Sequence, residues 1–162
     1  HADRPLVSEN RTSTLLHELV HVAMRLHGDD ESDWIVEGLA EYYSLETLRR
    51  SGGISARRFD QAVVDLQRWA RRSATLFDST SSGSTTARAV LVFLSVDEEI
   101  RKRTKGKRSL DDVARALAKG GEEVSHARLQ KTAAEVVGEK VAALERSALL
   151  KQPVRPAAKL NE

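Results

Sequence analysis

The chain has 162 residues, of which 40% are hydrophobic and 4% aromatic, with 26 lysines and arginines against 24 acidic residues. This size and composition fit one domain with a modest, mainly aliphatic core. The lack of cysteine excludes disulfides and thiolate metal sites. No apolar run reaches the roughly 20 residues of a membrane span, and a net charge of +2 gives no reason to expect nucleic acid as a partner.

Periodic apolar residues predict that the first part of the chain forms two helices. Thr12 or Ser13 is the N-cap of the first, which carries apolar residues at three- and four-residue spacing and ends near His27-Gly28. Ser32 or Asp33 caps the second, which runs from Trp34 to about Arg50 and stops at Gly52-Gly53. The intervening segment is an acidic loop.

Four or five more helices are predicted, giving an all-α bundle of six to seven helices with no substantial sheet. Ser55 caps the third helix, and a loop at 73–84 separates it from a central apolar helix that runs from Thr85 to about Thr104. A capping box at Ser109 begins the fifth helix, which ends at Lys119, and the sixth runs from Ser125 to Val137. Residues Glu139 to Leu150 form a seventh helix or continue the sixth. Residues 1–11 are predicted to be an irregular lead-in, 12–150 the helical domain and 151–162 a disordered tail.

A zinc site is predicted where the first two helices meet. His17 and His21 lie one turn apart on one helix face, and Glu37 on the next helix is placed to be the third ligand. Glu18 lies about 100° round the helix from His17, so its carboxylate can activate a water on Zn²⁺ without binding the metal itself. Glu41, one turn after Glu37, can accept a hydrogen bond from a ligand imidazole.

His27 is the alternative third ligand. It follows His21 by six residues, as in the HExxHxxGxxH pattern, but Met24 occupies the position of the glycine that turns the chain there. The helix-forming stretch 24–26 is expected to carry His27 past the metal. The sequence therefore favours Glu37.

At these residues the chain resembles the gluzincin zinc metallopeptidases, most closely the glycyl aminopeptidase family. Residues 34–43, WIVEGLAEYY, match that family's pattern W-x-x-E-G-x-x-x-Y-Y, and the likeness extends over about residues 12–145. It implies zinc-dependent hydrolysis of peptide bonds in a peptide or protein substrate, with Glu18 as general base and acid. The compartment stays open, although the resemblance favours a bacterial cell envelope or secretion.

Two departures from the family pattern keep an alternative open. Thr86 stands where such enzymes have a tyrosine that steadies the tetrahedral intermediate, with Arg88 and Ala89 for the following lysine and glycine. The family's sheet-bearing N-terminal part is also missing, so a preceding portion of the same protein is an expected partner. The alternative function is a catalytically impaired or non-enzymatic zinc-binding module that acts in binding or scaffolding.

The remaining candidates are predicted to be structural. The basic run at 101–108 is expected to be a solvated helix end, and His126 an exposed surface histidine. Tyr42 and Tyr43 are expected to pack against the first helix, and Trp34 to lie in the core.

Overall fold

The computed structural model describes residues 12–121 and 123–151, and these residues form an all-helical domain, as predicted. Its elements are seven α-helices and one 3-10 turn: α1 (Thr14–Met24), α2 (Asp33–Arg50), α3 (Ala56–Ala70), α4 (Gly83–Arg103), α5 (Leu110–Lys119), α6 (His126–Val137), the turn Ala142–Leu144 and α7 (Arg146–Leu149). None of the described helices is long and apolar enough to cross a membrane. The predicted lead-in and all but the first residue of the predicted tail lie outside the described residues.

The apolar helix α4 is the centre of the bundle, as the sequence predicted. Phe93 is fully buried and stacks on Trp34 of α2 with ring centroids 5.8 Å apart, so Trp34 lies in the core. α2 and α4 approach closely at Gly38, where a Cβ atom would lie 2.5 Å from Cβ of Ala89. This packing fixes the position of α2, the helix that carries Glu37.

Serine side chains begin five of the helices. Each accepts a hydrogen bond from a backbone N–H in the first turn, which satisfies a donor that the helix itself cannot pair; the residues are Ser13, Ser55, Ser82, Ser109 and Ser125. Ser32 begins α2 without such a bond, because its Oγ accepts a hydrogen bond from the backbone N–H of His126 at 3.1 Å.

The first helix is shorter than predicted. It ends at Met24 rather than near His27, because Arg25 adopts a left-handed conformation with φ of 51°. The chain after it pairs with the segment before α6: the N–H of Val124 donates to the carbonyl of His27 at 2.6 Å, and the N–H of Asp29 donates to the carbonyl of Val124 at 3.2 Å. These contacts form an isolated parallel bridge, the one extended pairing among the described residues.

The segment from Glu139 to Leu150 is not one helix, and that prediction is wrong. Gly138 ends α6 with a positive φ of 89°, and a 3-10 turn and the short α7 follow. The carboxylate of Glu99 on α4 accepts hydrogen bonds from the backbone N–H groups of Ala142 and Ala143, each at 2.8 Å. A tertiary contact therefore holds the turn.

Candidate metal centre

The start of α1 is fixed against the middle of α2 by two serines. The side chain of Ser13 caps α1 by accepting a hydrogen bond from the N–H of Leu16 at 3.3 Å. The hydroxyl of the buried Ser44 on α2 donates to the carbonyl of Ser13 at 3.0 Å. Sequence reasoning missed Ser44, because a single serine in an otherwise ordinary helix gives no sign of its partner.

This packing brings His17, His21 and Glu37 together at the junction of the two helices. Nε2 of His17 lies 3.0 Å from Nε2 of His21 and 3.2 Å from Oε2 of Glu37, and Nε2 of His21 lies 3.4 Å from Oε1 of Glu37. Ligands about 2.05 Å from a tetrahedral metal ion lie about 3.3 Å from one another. Glu37 faces the two imidazoles through different oxygens. One ligand atom from each of the three residues lies within 4.8 Å of the others, so the group could hold a metal ion.

Glu41 orients His17 from the side away from the cluster. Its Oε2 lies 3.0 Å from Nδ1 of His17, and because a carboxylate can only accept, Nδ1 carries the proton. This arrangement aims Nε2 of His17 at His21 and Glu37. A carboxylate behind a ligand imidazole is the usual support of a metal-bound histidine, and the structure places Glu41 in that position.

The charges of the cluster favour a cation between the side chains. Hydrogen bonds to Glu37 and Glu41 raise the pKa of His17 to about 9 despite its partial burial. The hydrogen bond from His17 in turn lowers the pKa of Glu37. A protonated His17 supplies one positive charge against these two carboxylates, and a metal ion that binds Nε2 would replace the proton there.

Glu18 lies outside the ligand cluster and is exposed on α1. Its carboxylate has no hydrogen bond among the described residues and is open to solvent. His17 and His21 are only half-buried, and three protein ligands leave a coordination position open.

His27 is not part of the cluster. Its side chain is exposed and its carbonyl is held by the N–H of Val124. The preference for Glu37 over His27 agrees with this geometry, but the predicted reason was wrong. Rather than continuing past the cluster, the helix stops at Met24 and the left-handed Arg25 turns the chain towards the segment before α6.

The other candidate side chains are engaged in structural contacts. The hydroxyl of Thr86 donates to the carbonyl of Ser82 at 3.1 Å. Arg88 is buried and donates to the carbonyls of Ser73 and Leu149 at 3.3 and 2.7 Å. His126 is half-buried rather than exposed as predicted, because its Nε2 bonds to the Leu144 carbonyl at 2.8 Å.

The two tyrosines of α2 do not face α1, contrary to the prediction. Residues of α2 that contact α1 include Glu37, Glu41 and Ser44, and the helical repeat of about 100° per residue turns Tyr42 and Tyr43 away from them. The hydroxyl of Tyr43 donates to Asp111 of α5 at 3.1 Å. Burial, with the charge of Asp111 adding to it, raises the pKa of Tyr43.

Comparison with protein-family models, curated proteins and solved structures finds no match for this chain.

Proposed function

We propose that the chain is a zinc metallopeptidase domain of the gluzincin type, with His17, His21 and Glu37 as metal ligands. The observation that carries this proposal is the convergence of Nε2 of His17, Nε2 of His21 and the Glu37 carboxylate at 3.0–3.4 Å from one another. Two imidazoles and one carboxylate at a tetrahedral site, with one position left for water, are the donor set of catalytic zinc.

The proposed reaction is hydrolysis of a peptide bond. His17, His21 and Glu37 would hold the zinc, which would supply a Lewis acid for the scissile carbonyl and lower the pKa of a water. The carboxylate of Glu18 takes a proton from the attacking water and delivers it to the leaving amine nitrogen. Glu41 holds the proton on Nδ1 of His17, so that Nε2 keeps its lone pair for the metal. Glu18 suits its role because it stands next to His17 on α1 and remains exposed.

Two measurements test this proposal. The purified protein should contain about one zinc per chain, and Glu18→Gln should keep that zinc while losing peptidase activity on a broad peptide panel. Glu135→Gln is the matched control, since Glu135 is an exposed helical glutamate on α6. It should leave both zinc content and activity unchanged. Absence of zinc from protein prepared in zinc-replete medium would overturn the proposal.

The competing candidate is a zinc-binding module without catalysis. The hydrogen bonds of two hydroxyl groups favour this candidate. The hydroxyl of Thr86 donates to the carbonyl of Ser82, and the hydroxyl of Tyr43 donates to Asp111. Neither hydroxyl is therefore free to steady the oxyanion of a tetrahedral intermediate, and one such donor contributes about 10²–10³ in rate. Stoichiometric zinc with no cleavage of any peptide by the unmodified chain would support this module.

A further inference from the structure

A cavity of about 660 Å³ opens to solvent between α2, α3 and α4. None of its lining residues belongs to the ligand cluster of the metal centre. Ile54, Phe59 and Leu94 form its apolar wall, and charged side chains line the rest. Clefts of about 300–1,000 Å³ that combine an apolar wall with a few polar groups are typical of small-molecule sites. The size and lining of this cavity therefore fit a small organic molecule.

The two arginines of the cavity are already paired with carboxylates that also line it. Arg49 donates two hydrogen bonds to Glu46, at 2.9 and 2.8 Å, and its guanidinium lies over the ring of Phe59, 5.5 Å from the ring centroid. Arg101 donates to Asp97 at 2.7 Å. An anionic ligand would therefore compete with a carboxylate of the chain for each arginine.

Two further carboxylates of the cavity have no cation beside them. Asp60 of α3 and Glu98 of α4 line the cavity, and neither has an ion pair or a hydrogen bond among the described residues. Four carboxylates thus face two guanidinium groups, which leaves an excess of two negative charges. The group of described residues that could hold a metal ion lies elsewhere, at the metal centre. An ammonium group on an apolar body matches both the charge and the apolar wall of this cavity.

A buried tyrosine hydroxyl without a partner also points to a ligand. Tyr42 lines the cavity and is only 1% exposed, and its hydroxyl makes no hydrogen bond among the described residues. Burial raises the pKa of this hydroxyl, and the nearby charges of Asp97 and Glu46 add to the effect. Because both of these carboxylates line the cavity, the hydroxyl end of the ring faces it. Buried hydroxyl groups normally have a hydrogen-bond partner, and a bound molecule can provide one here.

We propose that this cavity binds small organic cations, namely amines that carry an apolar body and are protonated at neutral pH. The carboxylates of Asp60 and Glu98 attract the ammonium group, and the body of the amine leaves water against the apolar wall. The hydroxyl of Tyr42 offers one hydrogen bond to the bound molecule. This site does not depend on the metal centre or on the proposed peptidase function.

Three probes that share one body and differ in charge test the proposal: phenylbutylamine, phenylbutanol and phenylbutyrate. Calorimetric titration of the unmodified chain at pH 7 measures their binding. We expect the amine to bind at least about tenfold more tightly than the alcohol, and the carboxylate to bind more weakly than the alcohol. The double substitution Asp60→Asn and Glu98→Gln should remove the advantage of the amine. Asp30→Asn with Glu135→Gln should keep it, because these exposed residues carry the same charge and do not line the cavity.

Tyr42→Phe tests the hydroxyl separately from the carboxylates, since the ring is retained. We expect the affinity for phenylbutylamine to fall by about 2- to 10-fold. An unchanged affinity would place the amine outside the cavity and overturn the proposal. Equal binding of the three probes, or no saturable binding of any of them, would overturn it as well. An advantage of the amine that survived the double substitution at Asp60 and Glu98 would show that it binds elsewhere, and tighter binding of phenylbutyrate would show that the arginines select an anion instead.

Discussion

Helix α2 carries two acidic clusters, and they differ in how their charge is balanced. In its second half, Glu46 accepts hydrogen bonds from Arg49 and Arg50 at 2.8–2.9 Å, and Arg50 also bonds to Asp111 at 2.8 and 3.1 Å. Two carboxylates there meet two guanidinium groups. That cluster carries its own permanent cations and needs no further ion.

In the first half of α2, Glu37 and Glu41 face imidazoles instead. The contacts that the described residues give these carboxylates are to His17 and His21, which are neutral whenever they act as metal ligands. A divalent cation would balance the two carboxylates as the arginines balance Glu46 and Asp111. The two acidic clusters of α2 therefore differ in role. The cluster at Glu46 joins α2 to α5, and the cluster at Glu37 could hold a metal ion.

Neutralising one carboxylate in each cluster tests whether the two clusters differ in charge balance. We expect Glu37→Gln to weaken zinc binding by more than about a hundredfold, since loss of a ligand should exceed the 10–100-fold typical of supporting residues. Glu46→Gln should leave zinc affinity unchanged. Competition with a chromophoric chelator measures both. Equal zinc affinity in the two variants would show that the first cluster does not bind the metal.

Glu41→Gln tests whether Glu41 supports the ligand His17 without binding the metal itself. The amide can still approach Nδ1 of His17 but lacks the charge that favours the proton there, so zinc affinity should fall by about 10–100-fold with the stoichiometry unchanged. The same competition assay applies. Glu98→Gln, at an exposed glutamate of α4, is the control. A loss in Glu41→Gln as large as in Glu37→Gln would mean that Glu41 is itself a ligand.

Gly38→Ala tests how far the packing of α2 on α4 determines the position of Glu37. The added Cβ would lie 2.5 Å from Cβ of Ala89 and 2.9 Å from the ring of Phe93, so α2 must shift. Overpacking of about 1–3 kcal/mol should outweigh the gain of up to about 1 kcal/mol in helix propensity. We expect a lower free energy of unfolding in urea and weaker zinc binding.

Gly83→Ala is the matched control for that substitution. A Cβ at Gly83, the first residue of α4, meets no atom within 4 Å. Stability and zinc affinity should both be unchanged or slightly improved. If Gly38→Ala lowered stability but left zinc affinity intact, the ligand cluster would tolerate movement of α2, and the packing on α4 would not position Glu37.

The parts of the fold that were predictable from sequence are those set by short-range interactions. Serine caps such as Ser55 and Ser109 could be recognised because their partners lie two or three residues away. The positions of His17 and His21 followed from the helical repeat alone. The proposed pairing of these histidines with Glu37 needed one further assumption, that consecutive helices pack side by side, and the structure satisfies it.

The parts that could not be predicted depend on contacts between distant segments. α1 ends at the left-handed Arg25, which no glycine marks in the sequence, and the bridge between Gly28 and Val124 holds the chain that follows. The 3-10 turn that follows Gly138 is held by the carboxylate of Glu99, more than forty residues earlier in the chain. Arg88 looked like the lysine of a catalytic pattern, whereas its guanidinium is buried against backbone carbonyls. Local spacing carries no information about such partners.

Neutralising Glu46 in the second cluster is expected to change the free energy of unfolding only slightly, by an amount that depends on pH. Burial alone would raise the pKa of Glu46, but hydrogen bonds from Arg49 and Arg50 hold it below the usual range. A group with a lowered native pKa stabilises the fold above its unfolded pKa, about 4.3 for glutamate, and that contribution is lost as the pH falls through the native value.

Glu46→Gln should therefore lower the free energy of unfolding at pH 7 by about 1 kcal/mol. The difference from the unmodified chain should shrink below about pH 4 as Glu46 becomes protonated in both states. Urea titrations of both proteins between pH 2.5 and 7 measure it. A difference that did not depend on pH would mean that Glu46 stabilises α2 through packing alone, and the contrast between the two clusters would then not be one of charge.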